Sequence, residues 1–360
     1  SIVATFGMLC AFSQSISMFI MLRFIVGFGL GGGLVAITLF SELLGSKYRG
    51  SAIILAIGIL WTIGTMLEIV FAWLCLSVKD NNWRMLLVLS SVPSFVLLSV
   101  IPWLDESPRY YMITNQVEKA VEVLKKASRR NGGKLPKNFK LHKLPQKPRN
   151  QHAFFKTLLN DKYRLTSSLL WGLWFCSVIC YYGLSFVTPL YFAFQNRNEY
   201  FVTFVSAMAE IPGLIVTSQM VDRLGRKKTK GILYLLCGIF TMLLSFSSLP
   251  YSLLVISAII ARGSMAGAFD DLYVYTPEVY PTQVRAFGLG VCSAVARVAG
   301  IVVSYLSFRN TNGSQAAGAV FIYALCAFTA ALLSTFLPYE TMGAALQDEE
   351  DGDEDRMLLQ

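Results

Sequence analysis

Apolar residues run through this chain in stretches of about twenty, separated by short polar gaps. A helix needs roughly 20 mostly apolar residues to cross a bilayer. A partial span at 1–13 and spans near 17–42, 51–76, 83–104, 165–194, 200–221, 231–248, 252–277, 284–308 and 316–337 meet that length, giving ten segments. The long polar interruption is 105–164. Inside it, Val117, Val121 and Leu124 recur at helical spacing in VEKAVEVLKKASRR (117–130), which predicts a short surface helix. The Lys-, Pro- and Gly-rich stretch 132–148 that follows reads as irregular. The pattern divides the chain into a helical bundle at 1–104, a linker at 105–164, a second bundle of six helices at 165–337 and an acidic tail at 338–360.

Composition agrees with an all-α polytopic membrane protein. The chain is 54% hydrophobic and 15% charged, against about 25% charge in ordinary soluble domains, and its mean hydropathy is +0.54. The net charge of +9 matters less than its placement. Basic loops face the cytoplasm. With the linker and the C-terminus inside, the loops 43–50, 222–230 and 278–285 also lie inside. Of the Lys and Arg outside the spans, Lys79, Arg197 and Arg309 alone then fall on the opposite side. VDRLGRKKTK (221–230), which in isolation resembles a nucleic-acid patch, is on this reading a turn between two spans, and no nucleic-acid partner is expected. The seven cysteines all sit in apolar stretches as buried thiols. His142 and His152 have no ligand partner nearby, and no catalytic triad, zinc spacing or nucleophile elbow is visible. The expectation is no enzyme activity, no cofactor and no metal.

Two segments repeat. RFIVGFGLGGGLVAITLFSELLGSKYRG (23–50) and RGSMAGAFDDLYVYTPEVYPTQVRA (262–286) each open on Arg, pass through Gly-rich apolar sequence, reach Glu and show Arg seven residues later, as Glu42/Arg49 and Glu278/Arg285. Related halves suggest a duplicated transporter. In the second half Asp222 lies 40 residues before Arg262, after two further spans. The matching part of the first half would precede Ser1, so the repeat predicts twelve spans, of which ten are seen and 1–104 holds the last four of the first six. Gly27-Phe-Gly29-Leu-Gly31-Gly32 matches a dinucleotide-binding spacing, but it lies inside a span. Gly27/Gly31 and Gly29/Gly33 there read as small residues for close helix packing.

DRLGRKKT (222–229), ESPRY (106–110), PEVYPTQVRAFGLG (277–290) and PYETMG (338–343) resemble the loop motifs of the major facilitator superfamily, in its sugar-porter and organic-ion branches. YTPEVYPTQVRAFGLGVCSAVARV, CYYGLS (180–185) and ILWTIGTMLEIV (59–70) are similar to the synaptic vesicle 2-related protein branch. The resemblance implies twelve helices in two bundles, a central cavity and alternating access. It implies that Asp222 approaches the start of the span at Gly50-Ser51. It further implies an ion-pair network of Arg226, Arg285 and Glu278 on the cytoplasmic face, with a related one of Glu106, Arg109 and Glu340. Glu42, Arg49 and Gly225, whose missing Cβ permits a tight reversal, belong to the same expected gate. The short loop QNRNE (195–199) and the charged pair Asp270 and Asp271 depart from the family pattern.

Ionisable groups inside spans are costly and are functional suspects. Glu210 stands about ten residues into its span, roughly 15 Å deep at 1.5 Å per residue, and Arg262 and Arg297 reach similar depth. Glu68 lies nearer the lumen, and Asp270 and Asp271 nearer the cytoplasm. These six are the candidates for solute contact or coupling. Each also has a structural reading: Arg262 as an interhelix partner, since it repeats Arg23, and Glu210 as a satisfier of backbone freed by the following Ile-Pro-Gly. Trp171, Trp174, Tyr181 and Tyr182 share one helix face, and could line a cavity and hold a cation on their rings or simply pack. In the tail, Glu354 with Leu358 and Leu359 resembles an acidic dileucine signal read by vesicle coat adaptors, and Asn312-Gly-Ser314 is a sequon expected to carry little sugar. The expected function is secondary transport of a small organic, charged solute, with protons as a candidate coupling ion through Glu210 or Glu68, in an intracellular vesicle membrane. A second function class stays open, a non-transporting vesicle protein that serves trafficking or acts as a receptor.

Overall fold

A computed structural model describes residues 1–45, 48–76, 82–132, 151–193, 199–246, 249–309 and 313–344. The described residues form fifteen α-helices and no strand. They are α1 (Ile2–Leu9), α2 (Ile16–Leu30), α3 (Gly33–Leu43), α4 (Arg49–Leu76), α5 (Trp83–Val100), α6 (Pro108–Ile113), α7 (Val117–Arg130) and α8 (Gln151–Leu158). Then come α9 (Asp161–Ala193), α10 (Glu199–Met208), α11 (Glu210–Leu224), α12 (Arg226–Leu244), α13 (Tyr251–Val279), α14 (Thr282–Arg309) and α15 (Gly313–Thr335). Eight stretches among the described residues are long and apolar enough to cross a bilayer. The chain is a multi-pass integral membrane protein of the all-α class.

Each of the ten expected spans meets helix, but two do not count toward the eight. The partial span at 1–13 is too short, and α12 opens on Arg226-Lys-Lys-Thr-Lys, which makes its first turn polar. The span at 17–42 is divided, because α2 stops at Leu30 and α3 restarts at Gly33. The span at 200–221 is divided too, with α10 ending at Met208 and α11 beginning at Glu210. Pro212 has no N–H for the Met208 carbonyl four residues back, so a continuous helix is lost there.

Helix spacing is set by small residues. On α11, a Cβ at Gly213 would strike the backbone of Gly263, and on α13 a Cβ at Gly267 would strike Thr217. The two helices therefore meet nearly backbone to backbone. In the glycine run of α2, a Cβ at Gly29 would come within 2.8 Å of Ile2, whereas Gly27 and Gly33 have open space around them. Close packing in that run is thus confined to Gly29. The 117–130 helix forms as α7, turns Ala120 inward and packs on α6, and Lys126 pairs with Asp105 at 2.6 Å. Of the first 104 residues, α4 lies against α10, α11 and α13, and α3 against α13 and α14. That contact surface holds the site.

Candidate functional site

A cavity of about 330 Å³ lies where α3 and α4 face α9, α11, α13 and α14. From α9 it receives Trp174, Val178, Tyr181, Tyr182 and Phe186, which recur at intervals of three to four and so share one face. Trp61 of α4 and Phe269 and Tyr273 of α13 extend this aromatic wall. The rings touch one another. Trp174 meets Tyr273 edge-on at 4.8 Å between centroids, and Tyr181 meets Tyr182 at 5.5 Å.

Three charged side chains reach the cavity: Glu210, Asp270 and Arg297. Glu210 is 1% exposed and fully engaged. Arg262 Nε donates to its Oε1 at 2.9 Å, the Tyr181 hydroxyl donates to the same oxygen at 3.1 Å, and Thr62 Oγ1 donates to Oε2 at 3.1 Å. Trp61 Nε1 in turn donates to the Tyr181 oxygen at 2.7 Å. One carboxylate thereby joins α4, α9, α11 and α13. Its charge is matched by Arg262, which bridges α13 to α11; Arg23, which opens the matching segment of the repeat, lies exposed over the Phe19 ring. Asp270 and Arg297 are different. Neither forms a hydrogen bond or ion pair with another described residue, including each other. The Asp270 carboxylate is seated against α4 at Gly58, where any Cβ would collide with it.

The other expected cavity residues lie elsewhere. Asp271 is one position on from Asp270, and the 100° helical step turns it toward α12 instead. There it is fully buried, 3.5 Å from Lys230 Nζ, which also sits 4.1 Å above the Tyr275 ring. Glu68 faces α5 and accepts from Ser90 Oγ at 2.9 Å. Trp171 stays in the helix packing, outside the cavity lining, with its indole N–H unbonded among the described residues.

On the face that carries the basic loops, charged residues from distant parts of the chain interlock. Arg226 donates from Nε to Glu278 at 3.2 Å and from Nη1 to Asp222 at 3.1 Å. Burial opposes the charge of this loop guanidinium, but the Glu278 and Asp222 carboxylates outweigh it and hold its pKa above the ordinary value. Asp222 also accepts from the backbone N–H of Ser51 at 3.0 Å, at the positive end of α4. Gly50 makes room for it, since a Cβ there would lie 2.8 Å from Asp222 Oδ1. Glu340 accepts from the backbone N–H of Arg226 at 2.9 Å and of Lys227 at 3.1 Å, and so caps α12. Gly225, just before them between α11 and α12, has φ +89°, and a side chain there would also press on Glu340.

The repeat-matched residues exchange partners. Arg49 pairs with Glu278 at 3.5 Å, and Arg285 with Glu42 at 3.1 Å. Arg285 therefore joins Glu42, not the Arg226 cluster, and Glu42 further accepts from Ser107 Oγ at 2.7 Å. Glu340 belongs with Arg226, not with Glu106, which is exposed and accepts from the Ser107 N–H beside it. The Arg109 side chain, Asn312 and the tail residues Glu354, Leu358 and Leu359 lie outside what the structure describes. Sequence reasoning missed Trp61, Thr62, Phe269, Tyr273 and Lys230. The signal available for Thr62 and Trp61 was their place in a span whose repeat counterpart carries Arg297.

Comparison with known proteins places this geometry. The family model described as "Sugar (and other) transporter" matches residues 1–350. The synaptic vesicle 2-related protein of Rattus norvegicus is 34% identical over 366 residues, covering 95% of this chain. The organic cation/carnitine transporter 7 of Arabidopsis thaliana is 31% identical over 397 residues, covering 96% of this chain and 78% of that protein. The chain spans 65% of the length of the vesicle 2-related relative. Among solved structures, the major facilitator superfamily proton:xylose symporter XylE superposes with a TM-score of 0.67 at 18% identity, covering 96% of this chain and 81% of that one.

Proposed function

The chain belongs to the sugar (and other) transporter family, with the fold of the major facilitator superfamily, and from that premise we propose that it moves a small organic, charged solute across a membrane by alternating access. Residues 1–104 and 165–337 act as the two moving bundles. The observation that carries the reading is the reciprocal pairing of Arg49 with Glu278 and Arg285 with Glu42. Both pairs cross between the same two parts of the chain, on one side of a cavity that lies between those parts. With the basic loops cytoplasmic, they form a latch that is closed in this state, and Asp222 on Ser51 is its third contact. For the solute to reach the cytoplasm all three must part.

Glu210 is the group proposed to carry a coupled proton. Its partners come from both parts of the chain, so neutralising it would release Thr62 on one side and Arg262 on the other. Glu68, outside the cavity, has no such position. The setting is an intracellular vesicle membrane, with Glu354, Leu358 and Leu359 as the segment that a coat adaptor would read. Uptake into proteoliposomes by the full-length protein, at two pH values and across a panel of charged organic solutes, tests the proposal. Saturable uptake that Glu210→Gln makes insensitive to pH supports it. No saturable uptake of any solute, with intact sorting to vesicles, would favour the trafficking role instead.

A further inference from the structure

We infer that the acidic tail of this chain docks on the basic side of α7 and so ties the two halves together beside the latch. The docking stands without the latch; the tie rests on the latch proposed above. The tail sets out from that same cluster. Glu340 caps α12, the Thr341 hydroxyl donates to Glu278 at 2.6 Å, and Arg49 Nη1 donates to the Ala344 carbonyl at 3.2 Å. A run of contacts leads from this anchor to α7. Arg285, whose Nε is held by the Pro277 carbonyl beside Glu278, pairs with Glu42. Glu42 accepts from Ser107 Oγ just ahead of α6, α6 packs on α7, and Lys126 of α7 pairs with Asp105. The Ser107 bond fastens α6 and α7 to the first half, whereas Glu340 and Thr341 fasten the start of the tail to the second. An extended chain covers roughly 3.5 Å per residue, so residues 348–355 lie roughly 14 to 40 Å along the chain from Ala344, ample for so short a run of contacts.

Charge identifies the occupant. Seven of the eight residues 348–355 are acidic, and the linker 105–164 holds fifteen basic residues against five acidic ones. In the described part of that linker, α7 exposes Lys119, Lys125, Lys126, Arg129 and Arg130. Glu118 and Glu122 are exposed beside them and Asp105 takes Lys126, so the excess positive charge falls toward the last turn, at Arg129 and Arg130. The helix dipole offsets roughly half a charge there, against two guanidinium groups. Exposed ion pairs are individually weak. A tethered partner does not need strong ones, because a short linker holds it at an effective concentration on the order of a millimolar. The bilayer surface fits α7 less well. A helix that lies on lipid turns its apolar side to the acyl chains. In α7 that side serves the protein: the helix packs on α6, with Ala120 fully buried and Val117, Val121 and Leu124 half-buried. Its basic side is left facing outward.

The test uses the full-length protein, one copy per lipid nanodisc, in a background lacking the native cysteines. Spin labels go on Ala127→Cys of α7 and Gly352→Cys of the tail, and double electron–electron resonance reads their separation. We expect a short-distance peak in phosphatidylcholine discs at about 0.1 M salt. It should be lost at about 1 M, where the screening length falls from about 10 Å to about 3 Å. Lys119→Glu, Lys125→Glu, Arg129→Glu and Arg130→Glu made together should abolish the peak, and so should exchanging the seven tail acids for Lys. Both reversals in one chain should restore it, which also shows that the variants fold. In a second protein with a cysteine at Ser41, buried in this state, removing residues 346–360 should raise the alkylation rate at least threefold, as should the α7 reversal alone. The absence of a peak, or a peak that neither reversal moves, overturns the inference. So does a peak that phosphatidylserine discs abolish, which would assign α7 to the membrane surface. A peak with no change in alkylation overturns the tie. Fast alkylation in the unaltered protein removes the latch itself, and the docking is then decided by the spin-label distance alone.

Discussion

Replacing Glu42 by Gln should open the latch. The partner, Arg285, is wholly buried and Glu42 is 9% exposed, so solvent screens the pair little. Removing one member of a buried pair costs about 3–5 kcal/mol because the remaining charge stays desolvated. Arg285 still donates from Nε to the Pro277 carbonyl at 2.7 Å, which argues for the lower end, about 3 kcal/mol. That cost falls on the latched state alone, since in the open state Arg285 regains water. At 1.4 kcal/mol per tenfold, the ratio of open to latched molecules should rise on the order of 100-fold. The reporter is a cysteine at Ser41, fully buried in this state, in a background lacking the native cysteines. Its alkylation by a polar maleimide should accelerate with Glu42→Gln. Glu106→Gln, a charge lost a short distance away on an exposed side chain, should leave the rate alone, and Glu42→Asp should fall between. An unchanged rate for Glu42→Gln in protein that elutes as a folded species would refute the latch.

Three further outcomes follow from the same geometry. Gly58→Ala puts a methyl into the Asp270 carboxylate and within 2.7 Å of Leu214, so solute affinity by calorimetry should drop tenfold or more; Gly64→Ala on the same helix, with open space around it, should not change it. Lys230→Met leaves Asp271 buried without a counter-charge and should lower stability by about 3–5 kcal/mol, read as a fall in thermal midpoint. Adding Asp271→Leu should restore most of it, because a buried ion pair replaced whole by apolar groups is close to neutral. Trp61→Phe removes the indole N–H that fixes the Tyr181 hydroxyl, a loss of about 1 kcal/mol, and should weaken solute binding by a few fold while Trp103→Phe, exposed at the end of its span, has no effect.

The spans were legible because the bilayer leaves the chain few options. Every backbone N–H and C=O in hydrocarbon must be paired within its own segment, so twenty apolar residues can do little besides form a helix. The interruption at Ala209 was legible too, through Pro212 three residues on. Facing was less accessible. A helix such as α13 is buried from Ala261 to Ala268 on every side, so its apolar residues have no periodic phase to read. Asp270 and Asp271 then look alike in sequence, although one faces the cavity and the other faces Lys230. The rule that loop charges are solvated also failed at Lys230. The residue sits in a basic turn, yet Glu340 caps the start of α12 and draws that turn inward, where Asp271 and the Tyr275 ring receive the ammonium.

The latch shows the same limit in sharper form. The repeat identified Glu42, Arg49, Glu278 and Arg285 by their equal spacing, and spacing within a segment invites pairing within it. Seven residues on a continuous helix would put Glu42 and Arg49 on one face, but α3 ends at Leu43 and α4 starts at Arg49, so the two lie on different helices. Each is then presented to the other half of the chain. On the proposed duplication, a contact from the first half's Arg to the second half's Glu is matched by the reverse contact, and both pairs occur here. On that reading one duplicated motif supplies both proposed latch contacts. The proposed solute site is less symmetric than the proposed gate: in the repeat alignment Arg297 stands where the first half has Trp61, and Glu210 bonds to the neighbour of that tryptophan, Thr62. A gate of the proposed kind can stay symmetric because it would have only to open and close. A cavity proposed to bind a solute without two-fold symmetry gains nothing from matching halves, and Trp61 and Arg297, both in its lining, are where the halves differ.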